Sequence, residues 1–309
     1  MTKEMSFARF GITFSHTHLN YLDCVKPPDN PPITVNDALE LALGFGFSHI
    51  RFGSYWPEVE REPGVYDFSV LEGLLGRCER VGQPVIMNVG VKSPRYPEFY
   101  WPTYLAEKNL GSPEARKRTL LFTKECVGAL KRFKCITHWQ VENEPLDPTG
   151  SENLAFPFDF LKEEVELVRS LDSRPILLTL WGKTLETRGL APKILSLADV
   201  VGLDLYYRGS GKSYTTSGPR ISHDRLRAFV EKSPIPVIIA ELQAEPWEMG
   251  MERYLSENPK SISPELLESN LKRASSIGVT EILLWGFEYW YYRASQGDNR
   301  YIEVVKKYL

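Results

Sequence analysis

Across 309 residues the chain is 42% hydrophobic and 25% charged, with a formal net charge of −3 at pH 7. That length suits one α/β barrel of roughly 250 residues with loop insertions, and the hydrophobic share supports a sizeable core. The near-neutral balance, without a long basic or acidic run, argues against nucleic acid or an anionic membrane surface as partner, and no apolar run reaches the ~20 residues of a membrane span.

Expected strands alternate with helical patterns along the whole chain. The first strand is expected over Phe10–Ser15, followed by the passage Tyr21–Pro32 and a helix over Val35–Leu43 that Thr34 would cap. A second strand, His49–Ser54, leads through Tyr55–Phe68 to a helix over Ser69–Arg80. The third, Pro84–Val89, leads through Lys92–Leu110 to a helix over Ser112–Arg132, opened by Ser112-Pro113. The fourth strand, Ile136–Val141, alternates apolar and polar residues and precedes a helix over Phe158–Ser170. The fifth and sixth, Pro175–Leu180 and Val200–Tyr206, are followed by the passage Tyr207–Pro219 and a helix over Ile221–Glu231. The seventh, Pro236–Glu241, is a continuous apolar run up to its glutamate. It leads through Gln243–Pro259 to a helix over Pro264–Ser276, and the eighth strand is Glu281–Gly286. Gly46, Gly82 and Gly278 stand where helices stop just ahead of strands, as a terminating glycine does.

Strand–helix alternation repeated in this way favours a closed parallel barrel, a single (β/α)8 or TIM barrel with extended βα loops, over a doubly wound open sheet. A dinucleotide fold would also carry G-x-G-x-x-G after its first strand, and the sequence has none. The longest passages all follow strand C-termini, where barrel enzymes place their working loops. No Gly-, Ser- or Pro-rich linker divides the chain, so residues 1–309 read as one catalytic domain. Cys24, Cys78, Cys126 and Cys135 form neither a CxxC pair nor zinc-ligand spacing and read as buried free thiols of a reducing compartment. With no signal-peptide pattern in Met1-Thr-Lys-Glu-Met-Ser-Phe7, the expected location is the cytoplasm.

Two of these strands deliver glutamates. The fourth ends in Trp139-Gln-Val-Glu-Asn-Glu144-Pro145, and the seventh in Val237-Ile-Ile-Ala-Glu241. Pro145 cannot continue a central ladder, so it fixes the strand end and leaves Glu144 at the barrel mouth. Glu142, on the same face by alternation, reads as a deeper structural ion-pair partner. Glu245 rivals Glu241 but falls in the following loop, where it would reach substrate hydroxyls or solvent. Two carboxyl groups across a cleft suffice to cleave a glycosidic bond: one protonates the leaving oxygen, and the other attacks the anomeric carbon or activates water.

The stretch Trp139–Pro145 with Glu241 resembles the signature of clan A glycoside hydrolases, the 4/7 barrels that include families 5, 39 and 42. Arg51-Phe-Gly-Ser-Tyr55-Trp56 and Glu62-Pro-Gly-Val-Tyr-Asp67-Phe68 are also similar to passages of that clan. The resemblance implies Glu144 as acid/base and Glu241 as nucleophile, with retention of configuration and a β-linked carbohydrate substrate. It further implies that Arg51 keeps Glu241 anionic, that Asn143 meets the sugar 2-hydroxyl, that Tyr206 donates to the nucleophile, and that Trp285 stacks on the sugar. Tyr207 competes with Tyr206, and Asp204-x-Tyr206 stands where family 5 often has His-x-Tyr. Trp56, Trp181, Trp247 and Trp290 lie near other strand ends as subsite walls or packing residues.

His16-Thr17-His18 resembles the metal motif of amidohydrolase barrels, but the fifth and sixth strands offer no histidine to complete it. Neither a metal nor a cofactor is expected. The double displacement that the resemblance implies would place the two carboxyl groups ~5–5.5 Å apart rather than ~6.5–9.5 Å. Endo-acting β-1,4-glucanase or mannanase action stays open, as does a catalytically silent carbohydrate-binding barrel. Sugar identity, linkage and oligomeric state are not legible.

Overall fold

The computed structural model describes residues 8–150, 152–186, 189–208, 222–248 and 250–309. Strands run over Arg9–Thr13 (β1), Ile50–Gly53 (β2), Glu60–Glu62 (β3), Val65–Tyr66 (β4), Val85–Val89 (β5), Ile136–Val141 (β6), Ile176–Trp181 (β7), Val200–Leu205 (β8), Val237–Gln243 (β9) and Glu281–Trp285 (β10). All but β3 and β4 form a closed barrel in the order β1-β10-β9-β8-β7-β6-β5-β2, with helices between successive strands. This is the (β/α)8 architecture expected from the alternation. Contacts cluster into two compact units, Arg51–Gly202 and Met1–Ile50 with Leu203–Leu309.

In the Arg51–Gly202 unit, β5 and β6 are parallel and in register from Ile86↔His138 to Val89↔Val141, and β6 continues the sheet onto β7 through Trp139↔Ile176. Every residue of β5 is buried, which suits its four apolar side chains, and the one polar residue, Asn88, accepts from Ser93 Oγ at 2.7 Å. The helix Ser69–Val81 buries Leu71, Leu74, Leu75 and Cys78, a stripe at helical spacing, and stops at Gly82, whose φ of 70° only glycine adopts cheaply. Each such leucine stabilises by about 1.5–3 kcal/mol relative to exposure. The helix Pro113–Leu130 begins where Ser112 accepts the Ala115 N–H, as its sequence suggests. The passage Tyr55–Phe68, expected as loop, holds a short helix Trp56–Val59 and the antiparallel pair β3–β4 turned by Pro63-Gly64.

In the other unit, β1 and β10 pair in parallel from Arg9↔Glu281 to Ile12↔Leu284. Two differences from expectation stand out. A helix, His16–Val25, occupies the start of what reads as a loop: Ser15 accepts the His18 N–H, Leu19 and Leu22 face inward three residues apart, and Cys24 on another face is exposed, not buried as expected of all four cysteines. The seventh barrel strand, β9, runs two residues past Glu241, to Gln243. The helix expected over Ile221–Glu231 spans His223–Lys232 under a Ser222 cap, its first expected residue and most of Tyr207–Pro219 lying outside the described residues. No helix of the described residues is long and apolar enough to cross a membrane.

Candidate active site

Arg51, Asn143, Glu144, Tyr206, Glu241 and Trp285 are all buried, none more than 8% exposed. Burial of so many polar side chains near strand ends demands partners.

After β6 the backbone takes a strained course. Glu142 and Glu144 have φ of 58° and 41°, left-handed values uncommon for side-chain-bearing residues. Three bonds hold it there. The Glu142 N–H donates to Val89 O (2.9 Å), the Asn143 N–H to Lys92 O (2.7 Å) and the Glu144 N–H to Thr179 Oγ1 (2.8 Å). Lys92, itself fully buried, reinforces them: its Nζ donates to the carbonyls of Glu144 (2.9 Å) and Asp147 (3.1 Å) and to Thr149 Oγ1 (2.8 Å). Nothing in the sequence pattern singles out Lys92 beyond its place just past a barrel strand.

Arg51 Nη1 donates to Gln140 Oε1 at 3.2 Å, and Gln140 Nε2 donates to Asn143 Oδ1 at 3.1 Å and to Glu142 O at 3.0 Å. Gln140 thus links the β2 arginine to the asparagine beside Glu144, a role hidden in the sequence because it reads as one polar residue of an alternating strand. Glu142 is not the ion-pair partner expected. Its carboxyl accepts the N–H groups of Val91 (2.9 Å) and Lys92 and faces a second buried carboxyl, Glu164, which accepts from Thr123 Oγ1 at 2.8 Å. Burial first, and then the Glu164 charge, raise Glu142 well above the usual carboxyl range, while burial pushes Glu164 up to about 7. A like-charge pair kept from water retains a proton instead of recruiting a cation.

In the second unit, Glu241 lies within β9 at an irregularity. Ile282 pairs with Ile239 and Leu284 with Leu242, so β9 carries one residue more than β10 across that step. A bulge of this kind re-aims the side chains beside it. The Tyr206 hydroxyl donates to Glu241 Oε2, and the Tyr206 ring packs against Trp247 with centroids 4.2 Å apart. Tyr207 instead shares a hydrogen bond with His223 Nε2 (3.2 Å), and the Arg273 guanidinium sits 4.2 Å from its ring centroid.

Glu245 does not reach for solvent. At 4% exposure it accepts Trp285 Nε1–H (2.8 Å) and the Tyr254 hydroxyl (2.8 Å), and Tyr254 contacts His18 Nε2 at 3.2 Å. Trp285 is therefore oriented through its indole N–H by a carboxylate nine residues from Tyr254 in sequence, a convergence no spacing reveals. Of the remaining tryptophans, Trp56 stacks on Phe122 and Trp290 donates to Ala244 O (2.7 Å), both in the core, whereas Trp181 and Trp247 are half-buried.

No protein-family model matches the chain, and no curated protein matches its sequence. Solved structures do match. An exo-β-1,4-mannosidase from Opitutaceae bacterium strain TAV5 aligns over 90% of this chain and 52% of its own, with a TM-score of 0.62 and 18% identity. GH5_18 from Streptomyces cattleya, solved with GlcNAc, aligns over 98% of this chain and 80% of its own (TM-score 0.65, 14% identity). A β-glucosidase from Exiguobacterium marinum aligns over 92% and 89% (TM-score 0.58, 13% identity). The chain spans about half the length of the mannosidase, and likewise of a β-galactosidase from Halorubrum lacusprofundi. At these identities the likeness establishes the fold: the chain has the (β/α)8 barrel found in these glycoside hydrolases.

Proposed function

We propose that the protein is a retaining glycoside hydrolase that cleaves β-linked glycosides or oligosaccharides by double displacement. Glu241 attacks the anomeric carbon while Glu144 gives a proton to the departing oxygen; water then cleaves the glycosyl-enzyme with Glu144 as base. The observation that carries this reading is local. A buried glutamate sits at a backbone irregularity near the C-terminal end of the fourth and of the seventh barrel strand: Glu144 in a left-handed turn three residues past β6, and Glu241 at a bulge two residues before β9 ends. Such departures from regular geometry are costly and gather where chemistry needs a side chain aimed.

The other residues take roles consistent with this. Tyr206 donates to Glu241 and holds one of its oxygens in place. Asn143, oriented through Gln140 and Arg51, is left to meet the sugar 2-hydroxyl, a contact that tightens as the oxocarbenium-like transition state forms. Trp285, fixed by Glu245, offers a platform for a sugar ring. The matched structures include proteins named as β-mannosidase, β-galactosidase and β-glucosidase, which supports a β-linked substrate.

A panel of p-nitrophenyl β-glycosides tests the reading. Wild type should release p-nitrophenol from at least one member, with the β-anomer as first product by NMR, and Glu241→Ala should lose about a thousandfold or more in kcat. Turnover that survives Glu241→Ala removes the assigned nucleophile. Binding of the same sugars without turnover of any would instead point to a silent carbohydrate-binding barrel.

A further inference from the structure

The loops after β5 and β6 meet at a single hydroxyl. Thr149 Oγ1 lies 2.8 Å from Lys92 Nζ, 2.9 Å from Glu98 Oε2 and 3.1 Å from Glu144 Oε2. A threonine hydroxyl has one proton to give and two lone pairs to offer. The ammonium can only donate, so it occupies one lone pair. The hydroxyl proton then serves one carboxyl group. The other carboxyl keeps a favourable contact only by donating a proton of its own to the remaining lone pair. Lys92 Nζ is also 3.5 Å from Glu98 Oε2, which favours the ionised form at Glu98. The proton consistent with all three contacts sits on Glu144.

We propose that Glu98, acting through the Thr149 hydroxyl, is a positioning residue that keeps Glu144 protonated, the form a general acid requires. This rests on the reading of Glu144 as acid/base. When Glu144 gives its proton to the leaving oxygen, two carboxylates compete for one hydroxyl proton. The competition ends when Glu144 takes a proton from the attacking water, whose oxygen bonds to the anomeric carbon as the ester bond to Glu241 breaks and releases its carboxylate. The relay thus favours both the starting state and its recovery.

The backbone is shaped around this contact. Glu98 has φ of 71°, held by its N–H donating to Arg95 O (2.7 Å) and its carbonyl accepting from Ser93 N–H (2.9 Å). A left-handed non-glycine residue is strained and persists where its surroundings demand it. Gly150, at φ 74°, closes the opposite side: a Cβ there would fall 2.8 Å from Pro97 O and 3.0 Å from Glu98 Cβ. Among the described residues, charged and titratable groups around the relay include Lys92, Arg95, Glu142, which accepts the Lys92 N–H, and Tyr100, pushed up by burial and lying in the fields of Arg95, Glu58 and Glu98. Asp147 meets Lys92 through its carbonyl, while its carboxylate accepts from Trp181 N–H and Thr184 Oγ1.

Carboxyl 13C NMR of the full chain labelled at glutamate Cδ reads the proposal without a substrate. The Glu144 signal is identified as the one missing in Glu144→Gln. In Glu98→Gln its midpoint should fall by about one pH unit, because an anion a few ångströms away no longer favours the neutral acid. Thr149→Val should move it the same way, and Thr149→Ser should restore it. A Glu98→Gln midpoint within about 0.2 pH unit of wild type overturns the relay, that distance being well under one charge-pair effect. Kinetics supply a second readout. Glu98→Gln should lose about tenfold more kcat/KM on an alkyl β-glycoside, whose leaving group needs the acid, than on the 2,4-dinitrophenyl β-glycoside. Equal losses on both count against the relay. If Glu144→Gln itself shows no such leaving-group dependence, the acid/base reading fails, whatever the NMR midpoint shows.

Discussion

The ends of β6 and β9 carry the two proposed catalytic glutamates and are built on different physics. After β6 the chain turns through two left-handed glutamates and is held by a buried ammonium, by Thr179 and by the Gln140 amide. Within β9 one extra residue sets Glu241, and neutral donors serve this end: Tyr206 to Glu241, Trp285 and Tyr254 to Glu245, and Trp290 to the Ala244 carbonyl. Charge and strain fix the first, whereas ring packing and steric fit fix the second. A charge change should therefore disturb the β6 end most, and a change of volume the β9 end.

The largest effect belongs to Lys92→Met. It keeps the aliphatic stem but leaves the Glu144 and Asp147 carbonyls without their Nζ donor and Glu98 without its 3.5 Å cation. Loss of a buried ion together with its hydrogen bonds should cost about 3–4 kcal/mol in urea unfolding. A cost under about 1 kcal/mol would break the contrast, since it would show the strained turn standing without its cation. Gly286→Ala probes the other end. Gly286 has φ of 145°, and an added Cβ would meet the Ala244 backbone at 2.7 Å and Glu245 Cβ at 2.8 Å. Strain plus overpacking should cost about 2–3 kcal/mol and, by displacing Glu245, alter the near-UV circular dichroism of Trp285. An unchanged spectrum would mean that the β9 end does not depend on this close approach.

The same contrast explains what the sequence reveals. Ile136–Val141 and the helix Val35–Leu43 appear with the bounds their patterns indicate, because periodic burial and a capping threonine are local signals. The helix His16–Val25 carried its own signals, Ser15 followed by Leu19 and Leu22, but His16-Thr17-His18 draws attention to metal chemistry instead. The β3–β4 turn was present as Pro63-Gly64 within a passage that reads as a family signature. What no local signal could supply was convergence. Lys92, Glu98, Thr149 and Glu144 meet across more than fifty residues, and Trp285, Glu245 and Tyr254 across forty. The bulge at Glu241 is a property of register with β10, so β9 alone could not announce it.

The smallest effect has the opposite sign and sharpens the contrast at the β6 end. Glu142 and Glu164 are both fully buried, and burial raises each above the ordinary glutamate value, Glu164 to about 7. An acid raised in the folded state binds a proton that the unfolded chain has already released. Its stability is therefore fully present below the unfolded pKa of about 4.5 and is lost as pH rises through about 7. Glu164→Gln keeps a hydrogen-bonding group beside Thr123 and removes the second charge. At about pH 8.5 the variant should be more stable than wild type by about 2 kcal/mol, and at about pH 5 the two should agree within about 0.5 kcal/mol. Parallel curves across that window would show that the pair does not share its proton. A gain confined to alkaline pH would show that Glu142, two residues before Glu144, is seated by a neutral carboxyl pair beneath a turn that Lys92 holds by charge.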